Sequence, residues 1–319
     1  MKVMNRRLIG PIVGIAIASM LTLLGWWLIQ DKKFDVLSPS GAVADQQRDL
    51  IIFTVSLISL VVVPVFVMLG VFAWRYSEKN KKGKYDPSFN HSVLLESIWW
   101  GIPIAIIGVL SVVTIQTSHS LDPYRKIVSE NETVNVHYVA LQWKWLFIYP
   151  ELGVASLNQL PIPEDTPISF TITADAPMSA FWVPALGSQI YAMNGMNSQL
   201  NLIASKQGDF TGYSTNINGT GYSDMTMTVH SWSDSKFNAW VRDTKQSGTK
   251  MNIATYETLA EPSKNNQELA YSLEDKNLYT TIVSKYIGHG SPGDNSAGHD
   301  NSTTGKHEGD HDMSHEGIH

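Results

Sequence analysis

The sequence has 319 residues, a formal charge of −6 and no cysteine. Without cysteine there can be no disulfides, thiolate metal sites or cysteine nucleophiles, and an acidity this mild and diffuse points to no nucleic-acid partner. Apolar and polar residues are segregated into long tracts, so position along the chain says more than the averages do.

Three stretches free of charge, residues 8–29, 50–74 and 97–116, are each long enough to cross a bilayer, since about 20 helical residues at about 1.5 Å each span roughly 30 Å. None has a polar face, which argues against core helices of a soluble protein. Lys2, Arg6 and Arg7 precede the first stretch, and Arg75, Lys79, Lys81, Lys82 and Lys84 lie between the second and third. Basic loops stay cytoplasmic, so the third span exits to the opposite side and carries the rest of the chain with it.

Residues 1–31 have the ingredients of either a signal peptide or a retained anchor. The apolar run is longer than a signal core, and the small-residue triplet Ala42-Val43-Ala44 lies well beyond it, so retention is the favoured reading. Residues 50–117 form a transmembrane hairpin in either case.

From about residue 130 to 235 the pattern changes to short alternating segments, 133–139, 167–173, 198–204 and 225–230, divided by Gly, Pro, Asn and Ser clusters. This predicts an antiparallel β-sandwich, in which Ile168, Phe170 and Ile172 make one strand face apolar, Leu200 and Leu202 repeat the arrangement, and two sheets bury a core between them. Residues 236–287 turn helical: Phe237, Trp240 and Val241, then Ile253, Tyr256 and Leu259, then Leu278, Ile282 and Tyr286, are each spaced for one helix face. Residues 288–319 have almost nothing to bury and are expected to be disordered.

Three motifs carry candidate chemistry. Glu96 is the carboxylate adjoining the third apolar run, followed by Trp100 and Pro103. It is either an interfacial glutamate reaching for water or a functional group at the mouth of a polar pathway. The run Leu141-Gln142-Trp143-Lys144-Trp145-Leu146-Phe147-Ile148-Tyr149-Pro150 is an aromatic belt or core, or else an interface surface. Six histidines, His289, His299, His307, His311, His315 and His319, stand beside Asp and Glu in the tail; the tract is a solvated tail or a loose divalent-metal binder.

Glu96-x-x-x-Trp100-x-x-Pro103, Gln142-Trp143-Lys144-Trp145 and Phe181-Trp182-Val183-Pro184-Ala185-Leu186-Gly187-Ser188-Gln189-Ile190-Tyr191 resemble subunit II of the haem-copper terminal oxidases. The resemblance covers roughly residues 35 to 290, and in detail is nearest to the cytochrome bo type of ubiquinol oxidase. It implies a membrane-anchored α+β protein with two or three transmembrane helices, a cupredoxin-like sandwich and short C-terminal helices.

In copper-bearing members a Cys-x-Glu-x-Cys-Gly-x-x-His-x-x-Met loop and an earlier histidine hold a two-copper centre. The loop similar to it here has Ser214, Asn216, Asn218 and Tyr222 where those ligands would be and keeps only Met225, and the earlier histidine falls at Met178 or Ser179. Bridging thiolates set the softness such a centre needs, so no metal is expected on this chain.

The resemblance further implies haem and copper on a partner subunit I, ubiquinol as the substrate of the complex, subunits III and IV and membrane lipid as further partners, and no cytochrome c. It makes Glu96 a proton-entry group and Trp143 and Trp145 candidate aromatic interface residues. The location implied is a bacterial inner membrane, multi-pass, with the C-terminal domain in the periplasm. Lipidated relatives have a cysteine where this chain has Lys32 and Lys33, so no lipid anchor is expected. Two rivals are a copper-bearing cytochrome c oxidase subunit, against which the lack of cysteine counts, and a membrane-tethered metal-binding or assembly protein working through the histidine tail.

Overall fold

The structure, a computed structural model, describes residues 34–76, 91–264 and 266–287. The first apolar stretch, most of the basic loop residues and the histidine tail lie outside the described residues.

Two long helices come first, α1 (Ala42–Arg75) and α2 (Val93–Ser120). Ser92 caps α2, its hydroxyl accepting from the Leu95 N–H at 3.5 Å. Both helices run through a proline, Pro64 and Pro103, which membrane helices tolerate where the freed carbonyl finds another partner. No residue of α2 is buried and only Ala44 of α1 is. α1 starts eight residues before Leu50, because its first turn is tied to the globular domain: Ala44 N–H donates to Leu186 O at 3.2 Å, and Ser40 N–H to Ala185 O at 2.7 Å.

The domain is a sandwich of two sheets. The strands are β1 (Val134–Leu141), β2 (Lys144–Tyr149), β3 (Val154–Leu157), β4 (Gln159–Pro163), β5 (Pro167–Ala174), β6 (Ser179–Trp182), β7 (Ile190–Ala192), β8 (Ser198–Ile203), β9 (Gly208–Ser214), β10 (Thr226–Trp232), β11 (Lys250–Met251) and β12 (Leu269–Leu273). One sheet runs β11-β12-β3-β2-β1-β5-β8 and the other β4-β10-β9-β6-β7. Asn158 is the single residue between β3 and β4, where the chain passes from one sheet to the other. It does so at a φ of 55°, a left-handed conformation that asparagine tolerates.

The expected antiparallel sandwich is built mostly of antiparallel pairs, with three exceptions among the described strands. β1 with β5, β4 with β10 and β11 with β12 are parallel pairs. A period-two pattern reports which face a side chain takes and is the same for either strand direction.

Alternation does place the core correctly. Ile168, Phe170, Ile172, Leu200 and Leu202 face inward between the sheets with Tyr138, Trp145, Phe147 and Phe181. Tyr138 stacks on Trp145 and on Phe147, each at 5.4 Å between ring centroids.

Three helices follow: α3 (Asp234–Gln246), α4 (Ile253–Ala260) and α5 (Leu278–Ile287). Phe237, Val241 and Trp240 of α3 close one end of the inter-sheet core. The stretch read as purely helical also supplies β11 and β12, and β12 pairs antiparallel with β3. α4 and α5 cover the outer face of the larger sheet, where Val139, Leu141, Leu146 and Ile148 meet Tyr256, Leu278, Ile282 and Val283.

Candidate functional site

β9 and β10 are antiparallel neighbours whose last pair is Tyr213 with Thr226, so residues 215–225 form the connection at one end of the sandwich. Ser214 N–H donates to Met225 O at 3.4 Å and Thr215 N–H to Ala180 O at 3.3 Å, tying the loop to its own base and to β6. Inside it Asn218 is buried, with its amide nitrogen 2.8 Å from Ser179 Oγ and 3.6 Å from Met225 Sδ. The amide's two hydrogens serve both acceptors. Ser179 and Met225 are also buried.

The fold thus gathers Ser179, Asn218 and Met225, with Ser214 at the edge. Asn216 is held away from them, its amide on Met178 O at 2.8 Å, and Tyr222 opens a single 3-10 turn.

This donor set does not fit a two-copper centre. Hydroxyls, a carboxamide and one thioether offer neither the charge nor the softness of bridging thiolates. Among the described residues no three His, Cys, Asp or Glu side chains cluster for any metal.

Over this loop lies Trp143, in the two-residue turn between β1 and β2 at a φ of 62°. Its ring packs so closely on Gly221 that a Cβ there would stand 2.3 Å from Trp143 Cδ2. Lys264 Nζ sits 5.2 Å from the ring centroid and donates to Thr220 O at 3.0 Å. Trp145, two residues on, is different. It is fully buried in the inter-sheet core and can present nothing to a partner, so its expected place at an interface is corrected: strand alternation turns it inward.

The lysine between them is the residue the sequence signalled without being read, the one charge in residues 141–150. Lys144 is 1% exposed. Its three ammonium hydrogens have three acceptors: Leu259 O at 2.5 Å, Glu261 O at 2.6 Å and Ser263 Oγ at 2.7 Å. It therefore caps the C-terminal end of α4, where helix carbonyls lack partners and a cation is favoured. Burial lowers its pKa, and Glu261 opposes that in part.

A second polar tether is Asp175, just after β5. Tyr256 of α4 and Tyr286 of α5 both donate hydroxyl hydrogen bonds to its carboxylate, and Lys285 Nζ lies 2.9 Å away. Burial alone would raise its pKa, but these donors outweigh it and hold the carboxyl below its ordinary value. Lys144 and Asp175 together pin the C-terminal segment to the larger sheet.

Glu96 stands in the first turn of α2, about a third exposed, with Oε2 3.2 Å from His91 Nε2. The helix N-terminus favours its negative charge. It lies at the far end of α2 from the sandwich, so the loop site and the carboxylate are separate features on one chain.

Known proteins share these features. The family model described as the cytochrome c oxidase subunit II periplasmic domain matches residues 154–232, and that of the COX aromatic-rich motif matches residues 245–290. The cytochrome bo(3) ubiquinol oxidase subunit 2 of Pseudomonas putida is 43% identical over 280 residues, covering 87% of this chain and 89% of its own. The ubiquinol oxidase subunit 2 of Acetobacter aceti is 44% identical over 261 residues, covering 81% and 85%, and the quinol oxidase subunit 2 of Bacillus cereus is 37% identical over 233 residues, covering 73% and 80%. These likenesses favour the oxidase reading over a metal-handling protein built around the histidine tail. With its cupredoxin-like sandwich and two apolar helices, the chain belongs to the subunit II family of the haem-copper oxidases, in its ubiquinol oxidase branch.

Proposed function

We propose that this chain is the copper-free second subunit of a proton-pumping ubiquinol oxidase, bracing subunit I with its membrane helices and capping that subunit's outer face with the sandwich. The observation that carries the reading is the filling of the β9–β10 loop by a neutral hydrogen-bonded set, Asn218 on Ser179 and Met225. A subunit built this way takes no electrons from cytochrome c. Electrons from ubiquinol enter at subunit I, where haem and copper reduce oxygen to water. The surroundings that fit are a bacterial inner membrane crossed more than once, the sandwich in the periplasm, with subunits III and IV and lipid as further neighbours. In support, only Ala44 of α1 and no residue of α2 is buried within the described chain.

Gentle purification through a tag on this chain tests the reading. The expected preparation contains haem, consumes oxygen with ubiquinol, and holds no copper beyond that of subunit I. A haem-free chain loaded with copper or zinc would sink it.

Glu96 is the proton-entry residue in this proposal. Its partly exposed carboxylate at the start of a membrane helix, beside His91, can exchange protons with water and pass them inward. Glu96→Ala in the assembled complex is expected to lower oxygen uptake and proton pumping several-fold. Unchanged turnover together with unchanged pumping removes the residue from the pathway.

A further inference from the structure

Both membrane helices meet the sandwich beside β8, and a cavity of about 260 Å³ lies between them. Gln46 of α1, Ser120 at the end of α2, the strap at residues 121–128 and Asn201 of β8 form its walls. The strap is fastened to β8, because Asn201 N–H and the Asn201 side-chain amide both donate to Pro123 O at 3.1 Å.

The helices fix its depth. Gln46 stands four residues before Leu50, where the apolar run of α1 starts, and Ser120 four residues after Gln116, where that of α2 ends. At about 1.5 Å per residue the cavity sits roughly 6 Å beyond the hydrocarbon on both helices. The polar layer of a bilayer leaflet is roughly 5–7 Å thick, so the cavity lies at the level of the lipid phosphates.

Arg125 and Lys126 line it against one carboxylate, Asp122, whose Oδ1 already accepts from Tyr124 N–H at 2.9 Å. Neither cation forms an ion pair among the described residues, while nearby Asp45 and Arg48 neutralise each other at 3.2 Å. Basic residues this close after a span, nine and ten positions past Gln116, are disfavoured on the non-cytoplasmic side. Their presence calls for a local anion. Apolar groups share the wall, among them Val43, Ile127 and Val128, and Val128 is 98% exposed. A pocket this small sits below the roughly 300–1,000 Å³ that accommodates drug-sized molecules, so it suits a headgroup and not the acyl chains.

We propose that this cavity binds the phosphodiester headgroup of an anionic membrane phospholipid, held by Arg125 and Lys126, in the leaflet on the side of the sandwich. The lipid fastens the joint between the spans and the domain. This proposal does not rest on the oxidase reading, which the haem content of the same preparation tests separately.

The test uses the full chain purified in mild detergent with its co-purifying subunits. Native mass spectrometry and phosphorus assay count the phospholipid kept after extensive washing. The unmodified protein is expected to keep an anionic phospholipid that Arg125→Ala/Lys126→Ala loses. Titration with phosphatidylglycerol is expected to be about thirty-fold weaker for that variant, about a factor of five for each basic residue near a membrane surface. Lys236→Ala/Lys245→Ala on α3, outside the cavity wall, is expected to keep the lipid. Equal retention by the cavity variant, or equal loss by the α3 variant, overturns the proposal. Displacement of the lipid by millimolar inorganic phosphate also overturns it, assigning the site to the free anion. Should the cavity variant fail to assemble, phosphatidylglycerol with a photoreactive headgroup decides on the unmodified protein. Adducts within residues 42–46 or 120–128 support the site, and adducts only elsewhere overturn it.

Discussion

The sandwich and the membrane helices are made of the same apolar residue types and differ in what covers them. Tyr138, Trp145 and Phe147 are fully buried between the sheets, while Leu60, Phe66 and Trp100 on the helices are 67%, 68% and 67% exposed. The sandwich completes its own core and satisfies even a buried ammonium. The helices bury almost nothing within the described chain, as suits a subunit of a larger oxidase complex. Stability is therefore a property of one region and assembly a property of the other.

Lys144→Ala tests the first half of that division most severely. It leaves the Leu259 and Glu261 carbonyls and the Ser263 hydroxyl without their donor at a partly buried site, and should cost about 2–3 kcal/mol. Urea unfolding followed by tryptophan fluorescence measures it. Leu60→Ala on α1 should leave that unfolding midpoint nearly unchanged and lower the haem that co-purifies. If the two variants exchange their effects, the division fails.

Asp175→Asn should cost about 1–2 kcal/mol at neutral pH, since it weakens the hydrogen bonds from two tyrosines and a lysine. The pH dependence sharpens the test. Because the folded carboxyl titrates below its ordinary value of 3.8, its stabilisation is complete above that value and lost as pH falls through the still lower folded value. The asparagine variant should lack that acid loss when unfolding is measured between about pH 5 and pH 2.

The smallest effect is expected at His137. Burial lowers its pKa, with Glu151 opposing, its Nδ1 is buried without a partner, and its ring lies 4.3 Å from that of Tyr279. Below its ordinary value of 6.5 the unfolded chain takes up a proton that the folded chain resists. Stability should therefore fall as pH drops through that value toward the lowered one. His137→Phe should flatten this slope and change stability at pH 7 by less than about 1 kcal/mol.

What could be read in the sequence follows from how each segment is covered. β1, β5, β8 and β10 alternate, and were legible from that alone. β2 does not alternate, because Trp145, Phe147 and Tyr149 face the other sheet while Leu146 and Ile148 face the C-terminal helices. A strand buried on both faces reads as a continuous apolar run, which is why the run left belt or core and interface surface as open alternatives. The loop at 214–225 was legible as a site without copper ligands, but the pairing of Asn218 with Ser179 joins residues 39 positions apart. Asp175 gave no signal, since its partners Tyr256 and Tyr286 lie 81 and 111 positions further on.

The place of β12 has a consequence for how the chain is made. β12 covers the edge of β3, pairing Leu269 with Leu157 and Ser272 with Val154. During synthesis at about 5–20 residues per second, β3 waits on the order of ten seconds for its neighbour to exist. Through that interval it presents open backbone donors and acceptors to any passing strand. A chain that stops short of Leu269 never closes that edge, so truncation before β12 should yield a sticky product instead of a merely shorter one.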